Sequence, residues 1–315
     1  MIGFDLGKYI NYVKSEVDKP IEDYYIEKDY LLSLFLSTWQ NLRKIERISA
    51  LDDLIFKGGT LLMRNHLAYP RISEDLDFTH KRCEELRQMS QNKRVNAIRN
   101  LIIPILKDIK TVCDSCGFDF KTDRKESTYV TAYNHKSVYS LSMYRISNIT
   151  TIPIRIKIEI NFIEHLEYST QIQTINHLVS DNAVLASLGY HLVPLRISCY
   201  SLEEIVLEKY RAILTRDNPK QRDIYDLYQI NKKKLDVFSI DMKKIQAKVN
   251  SGKLASPHFE GNLKKNCNNL LKEGFLESDD DISILSLSPV DPIEYNHFKK
   301  KLFKQLKILC KKVQY

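Results

Sequence analysis

"FKGGTLLMRNHLAYPRISEDLDF", residues 56–78, sets two adjacent glycines in a chain that has nine, then places three carboxylates within four residues. A glycine pair marks backbone that must come close to something, because a residue without Cβ tolerates close approach and left-handed φ. Clustered carboxylates repel one another unless a cation lies between them. The stretch and its approach read as a strand at Leu54–Phe56, a turn at Gly58-Gly59, a helix from Thr60 to about Leu67, and a second strand at "DLDF", 75–78. A strand that passes through a glycine turn into a helix makes a phosphate cradle. The helix N-terminus offers unpaired N–H groups and the positive end of its dipole. The candidate cradle is Lys57, Gly58, Gly59 and Thr60, with Arg71 adding charge. It is not a Walker A loop, because no G-x-x-x-x-G-K-[ST] is present.

On a strand Asp75 and Asp77 share a face, about 6–7 Å apart at Cα. Leu76 and Phe78 then point to the core and Glu74 points away. Two carboxylates on one face suit a hard divalent cation such as Mg²⁺, which completes its shell with water and phosphate oxygens. A third acid comes from "IPIRIKIEINFI", 152–163. There Ile154, Ile156, Ile158 and Ile160 face one way, and Arg155, Lys157, Glu159 and Asn161 the other. The candidate metal ligands are therefore Asp75, Asp77 and Glu159, with phosphates on the glycine turn. The competing structural reading pairs Asp75 and Asp77 with Arg64 and Arg71.

A second cluster lies in "SLEEIVLEKYRAILTRDNPKQRDIYDLYQI", 201–230. Ser201 and Glu204 form a capping box that starts a helix. Lys209, Ala212 and Arg216 share one face of it, and Pro219 ends it. The next helix carries Asp223 and Asp226 one turn apart. Read structurally, Arg222 pairs with Asp226 at i, i+4 and Lys209 snorkels to the surface. Read functionally, Lys209 and Asp223 face a metal-bound nucleotide.

The chain has 315 residues, 43% hydrophobic and 28% charged, enough for one large domain or two ordinary ones. The longest apolar run, "YLLSLFLSTW" at 30–39, falls short of the ~20 residues a membrane helix needs. No secretory signal opens the sequence, and a cytoplasmic location is expected. The six cysteines include one C-x-x-C (Cys113, Cys116) without a second pair, and all six are expected to be reduced structural thiols. The net charge of +8 is concentrated late: from Asp291 on, seven lysines face two carboxylates. "HFKKKLFKQLKILCKKV", 297–313, spaces Phe298, Leu302, Leu306, Leu309 and Val313 as one buried helix face. Its lysine face is either a solvated surface or a landing site for a polyanion such as RNA.

Strands and helices mix early and helices dominate after about residue 200, which points to an α+β core followed by a helical lobe. The expected division is 1–198 and 199–315. Soft segments are expected at 250–262 and 277–281.

Five blocks in order, "EKDY" (27–30), "FKGGTLL" (56–62), "RISEDLDF" (71–78), "EKYRAILTR" (208–216) and "RDIYDLYQI" (222–230), resemble the AbiEii-type nucleotidyltransferases. These are the toxins of AbiE and MenAT toxin–antitoxin systems. The resemblance implies a polymerase-β-like α+β core, a small mixed sheet flanked by helices, with a helical C-terminal lobe. It implies Mg²⁺-dependent (or Mn²⁺-dependent) transfer of a nucleoside monophosphate from an NTP to RNA, notably the tRNA 3′ end, which blocks translation. It also implies a cognate antitoxin. By motif match Asp75 and Asp77 become metal ligands, Gly58 and Gly59 the phosphate turn, and Ser73 the serine of an S-x-D. Lys209 and Asp223 match the essential residues of the helical lobe. The rival readings are a D-x-D glycosyltransferase, a nucleotidyltransferase acting on a protein or small molecule, and a non-catalytic RNA- or protein-binding scaffold. The lack of repeated β/α units opposes the first, and the retained aspartates, glycines and Lys209 oppose the last.

Overall fold

The computed structural model describes residues 4–179, 181–254, 258–270, 286–287 and 289–313. Helices α1 (Leu6–Glu16) and α2 (Asp23–Lys44) lead into β1 (Leu54–Lys57). A single helical turn, α3 (Gly58–Leu61), continues as a π turn over Leu62–His66 before β2 (Asp75–His80). The regular helix after the glycines is thus shorter than the sequence suggests. Helices α4 (Cys83–Gln88) and α5 (Gln91–Cys116) follow, then β3 (Val130–Tyr133), β4 (Val138–Ile146) and β5 (Pro153–Asn161). After β6 (Gln171–Thr174), α6 (Asn182–Ser187) and β7 (Arg196–Cys199) the chain is helical. It forms α7 (Leu202–Thr215), α8 (Gln221–Lys233), α9 (Met242–Ser251), α10 (Phe259–Asn269) and α11 (Pro292–Val313).

Among the described residues the strands form one mixed sheet in the order β3-β4-β5-β2-β1-β7-β6. β2 runs parallel to β5 and β1 parallel to β7, while the other neighbours are antiparallel. Register sorts the two faces. Phe56 stands opposite Phe78, and Leu76 and Phe78 stand opposite Ile158 and Ile160. All five are buried, with Trp39 of α2 against Phe78 at 5.6 Å between ring centroids. This apolar face is covered by α2, which packs on α5. Pro104 sits within α5 on its exposed side, where solvent reaches the carbonyl that loses its bond. The opposite sheet face carries Lys57, Asp75, Asp77, Lys157 and Glu159, as strand alternation requires.

The helical segment packs around α7, which touches α8, α9 and α10, and α11 lies on α8 and α9. Phe298, Leu302, Leu306, Leu309 and Val313 are buried, as their spacing predicts, and Lys300, Lys301, Lys304, Lys311 and Lys312 are exposed. Two cysteines depart from expectation. Cys267 of α10 and Cys310 of α11 form a disulfide, because the packing of these helices brings their Cα atoms to 5.7 Å. Cys83, Cys113, Cys116 and Cys199 are free and buried. Strands β6 and β7 are four residues each, too short for alternation to announce them. The expected soft segment at 277–281 lies outside the described residues, and no helix among them is long and apolar enough to cross a membrane.

Candidate active site

The polar sheet face and helices α7 and α8 enclose an open cleft of about 570 Å³. Lys57, Gly58, Gly59, Arg71, Ser73, Asp75, Asp77, Glu159, Lys209 and Asp223 all line it. Thr60 does not; it is buried just behind.

The glycine pair has two separate causes. Gly58 has φ +78°, and a Cβ there would lie 2.2 Å from Asp77 Oδ2. A Cβ on Gly59 would lie 2.9 Å from Ser73 Oγ and 3.0 Å from an Arg71 guanidinium nitrogen. The turn is therefore pressed against the carboxylates' own strand and the loop before it. Thr60 fixes that approach: its hydroxyl donates to the Asp75 carbonyl at 2.5 Å and lies 3.0 Å from the Ser73 hydroxyl. Gly58→Ala is expected to cost about 1–2 kcal/mol from backbone strain alone and to push the Asp77 carboxylate aside. Urea unfolding and a transfer assay on the same protein would show both losses.

Asp77 is the most perturbed carboxyl here. Burial, then the nearby Glu159 and Asp75 carboxylates, push it up to about 6, with Lys57 and Lys157 opposing in part. A face whose candidate ligands are carboxylate oxygens fits Mg²⁺, which uses one or two protein carboxylates and takes its other ligands from water and phosphate. Glu159 stands in register with Asp77, but its carboxylate holds the Lys157 ammonium at 2.9 Å. Among the described residues no three His, Cys, Asp or Glu side chains converge into a preformed metal cage. Asp75 and Asp77 are the better placed pair, and Glu159 is a neighbour engaged elsewhere.

The crowding gives a stability prediction. The folded carboxyl of Asp77 is raised above its unfolded value near 3.8, so stability falls as pH rises from about 4 to about 6, where the unfolded chain ionises first, and the loss stays constant above that window. Asp77→Asn should therefore stabilise the metal-free protein by about 1–2 kcal/mol at pH 8 and leave it unchanged at pH 4. Thermal melts at the two pH values check this.

The structural reading that pairs Asp75 and Asp77 with Arg64 and Arg71 does not hold. Arg64 binds Asp29 at 2.7 Å. Arg71 forks onto Asp226, Nε to Oδ1 at 2.7 Å and Nη2 to Oδ2 at 2.8 Å. Nor does Arg222 take Asp226, whose second partner is Lys209 at 2.7 Å. Lys209 does not snorkel outward. It is buried, and also donates to Asp223 Oδ1 at 2.8 Å, while Asp223 Oδ2 meets Arg216. Arg71, Lys209 and Arg216 thus alternate with Asp226 and Asp223 along one wall, three cations to two anions. Burial works against ionised Asp226, but Arg71 and Lys209 hold it at about 2. Asp226 is the residue the sequence reading left out of the site, although its one-turn spacing from Asp223 was the available signal.

Flanking side chains fix the carboxylate strand. Lys28 of α2 pairs with Glu74 at 2.6 Å, and Glu74 lines the cleft beside Asp75 rather than pointing away from it as alternation predicts. The preceding Glu27 accepts from Ser147 Oγ and the Asn148 N–H, and the following Asp29 holds Arg64, so three successive charged residues anchor three segments.

Lys57 lines the cleft, yet its ammonium turns into a buried cluster, 3.0 Å from Glu208 and 3.4 Å from Glu164. Burial opposes its charge, and Glu208 and Glu164 more than compensate, raising its pKa. Glu164 also grips Arg211 by both oxygens, at 2.5 and 2.9 Å, and Lys248 at 3.3 Å. Lys248 reaches Glu204 at 2.6 Å. Glu204 is therefore only half a capping box. The Ser201 hydroxyl accepts its N–H, but its carboxylate serves Lys248 and the N–H groups of Glu167 and Tyr168. Three cations and three carboxylates close the seam between the sheet and the helical segment.

The family described as nucleotidyl transferase AbiEii toxin, type IV toxin–antitoxin system, matches residues 42–307. No curated protein matches the chain. Among solved structures, the nucleotidyltransferase toxin MenT4 of Mycobacterium tuberculosis is similar at 15% identity and a TM-score of 0.48, over 99% of this chain and 100% of that one. JHP933 of Helicobacter pylori is similar at 15% identity and a TM-score of 0.45, over 94% of each chain. The match over residues 42–307 settles the matter: the chain belongs to the AbiEii family of nucleotidyltransferase toxins of type IV toxin–antitoxin systems.

Proposed function

We propose that the protein transfers a nucleoside monophosphate from an NTP to an RNA acceptor, the tRNA 3′ end, with Mg²⁺ (or Mn²⁺) as cofactor, and that this blocks translation until a cognate antitoxin intervenes. The observation that carries the reading is the convergence of Gly58-Gly59, Asp75, Asp77 and Lys209 on one open cleft. Residues 1–198 would supply the phosphate turn, the carboxylates and Arg71, and 199–315 the rest of the cationic wall. The reaction is expected in the cytoplasm.

The proposed division of labour follows from charge. The Gly58-Gly59 backbone approaches the phosphates, and the Arg71–Asp226–Lys209 array sets a fixed cation beside them, a point charge suited to phosphate. Asp223 and Asp226 hold the Lys209 side chain in place. Ser73 and Thr60 brace the turn. Asp75 and Asp77 would hold the metal, with Glu159 as a further candidate. Bound there, Mg²⁺ would neutralise charge developing on the α-phosphate. The acceptor hydroxyl attacks the α-phosphorus and pyrophosphate leaves, so the protein acts mainly by positioning and charge compensation. The exposed lysines of α11 support a polyanionic acceptor.

The acceptor is tested with total tRNA, Mg²⁺ and each α-³²P-labelled NTP in turn, beside tRNA whose 3′ end has been oxidised by periodate. Label confined to intact tRNA is expected. Label that persists on oxidised tRNA, or that appears only on protein, would overturn the tRNA 3′ end.

A further inference from the structure

Lys157 is a lysine set among carboxylates. It stands in register with Asp75 on the neighbouring strand and lies on the same face of the sheet as Asp75, Asp77 and Glu159. Two residues along β5, on the same face, Glu159 Oε2 accepts from its ammonium at 2.9 Å. The side chain is about one-third exposed, and the ammonium feels Glu159, Asp75 and Asp77 together. The other lysine of this face, Lys57, is occupied by Glu208 and Glu164. Lys57 and Lys157 both act on the acidic face, and of the two Lys157 is the one whose ammonium is paired to a carboxylate of that face.

We infer that Lys157 is a built-in counter-ion of the Asp75–Asp77–Glu159 face, holding Glu159 in the metal-free protein and competing with the divalent cation for that face. This rests on the metal reading of Asp75 and Asp77. An ammonium and a dication repel each other at this range, so metal entry draws Lys157 off Glu159. The lysine keeps the empty face from repelling itself apart, at the cost of weaker metal binding.

The test uses the full chain with Mn²⁺ alone as probe, its binding measured by calorimetry without nucleotide. Lys157→Met is expected to bind Mn²⁺ on the order of tenfold more tightly, the effect of removing a unit charge a few ångström from a dication. The same variant should melt at a lower temperature without metal, and Lys157→Arg should bind as wild type does. Unchanged or weaker Mn²⁺ binding by Lys157→Met would overturn the inference. A second readout needs no substitution. Amine acylation followed by mass spectrometry should find Lys157 more reactive after Mn²⁺ is added, with Lys301 as exposed reference. Unaltered or reduced reactivity contradicts the inference. Asp77→Asn separates the two levels. If it binds Mn²⁺ as wild type does, the metal reading fails and the inference with it. If it loses Mn²⁺ while Lys157→Met gains nothing, only the role of Lys157 fails.

Discussion

Asp75→Ala protein is expected to transfer nucleotide about a thousandfold more slowly than wild type, or worse, while melting at nearly the same temperature. The two halves have different origins. The Asp75 side chain is half-buried and lines the cleft, so its removal opens no core cavity. What the fold takes from this residue is its carbonyl, which accepts from Thr60 and survives in alanine. The strand stays anchored by Leu76 and Phe78, both buried. The carboxylate is half of the pair assigned to the metal, and Asp77 alone would leave the charge on the reacting phosphate poorly compensated. Single-turnover transfer and circular dichroism melts on one preparation measure both. Activity within tenfold of wild type in a folded variant would remove Asp75 from the site.

Glu164→Ala should do the opposite, unfolding the protein by removing its most heavily used buried charge. Loss of one partner of a buried ion pair costs about 3–5 kcal/mol, because the surviving charge stays desolvated and unpaired. Here Arg211, Lys57 and Lys248 would all lose a partner. A midpoint at least roughly 6 °C lower is expected for a chain of this size. The pH dependence has a definite sign. Burial opposes ionised Glu164, but Arg211, Lys248 and Lys57 hold its carboxyl well below the usual range. Its stabilisation is therefore present above its unfolded pKa near 4.5 and fades as pH falls through the lower folded value. Asp226, held at about 2, loses its share over the window from about 3.8 downward. The gap between Glu164→Ala and wild type should be widest at pH 7 and narrow in strong acid. Urea titrations at several pH values show this, and an unchanged midpoint at pH 7 would contradict the role given to Glu164.

What the sequence revealed and what it hid divide by range. Alternation along β2 and β5 sorted Asp75, Asp77 and Glu159 onto one face because a period of two is a local property. The glycine pair was legible for a similar reason, since few residues tolerate φ +78°. The buried face of α11 followed from helical spacing. Ion pairing was not legible. Arg71 and Asp226 lie 155 residues apart, and Lys57 and Glu164 lie 107 apart. A sequence offers i, i+4 partners first, which is why the structural alternative pairs Arg222 with Asp226 and lets Lys209 snorkel outward, beside the functional reading that turns Lys209 toward the nucleotide. The fold instead spends both aspartates on cations brought from other elements. The disulfide was hidden in the same way, because Cys267 and Cys310 meet only through the tertiary packing of the helical segment, at a separation of 43 residues.

The central claim is that this cleft transfers the α-phosphoryl group of an NTP. It is tested most directly by giving the purified protein, Mg²⁺ and tRNA either α-³²P- or γ-³²P-labelled NTPs, with Asp75→Ala alongside. The α-label is expected to enter RNA and the γ-label to leave as pyrophosphate, and both signals to vanish in the variant. Label from the γ-position in any acceptor, or transfer by Asp75→Ala at the wild-type rate, would contradict it.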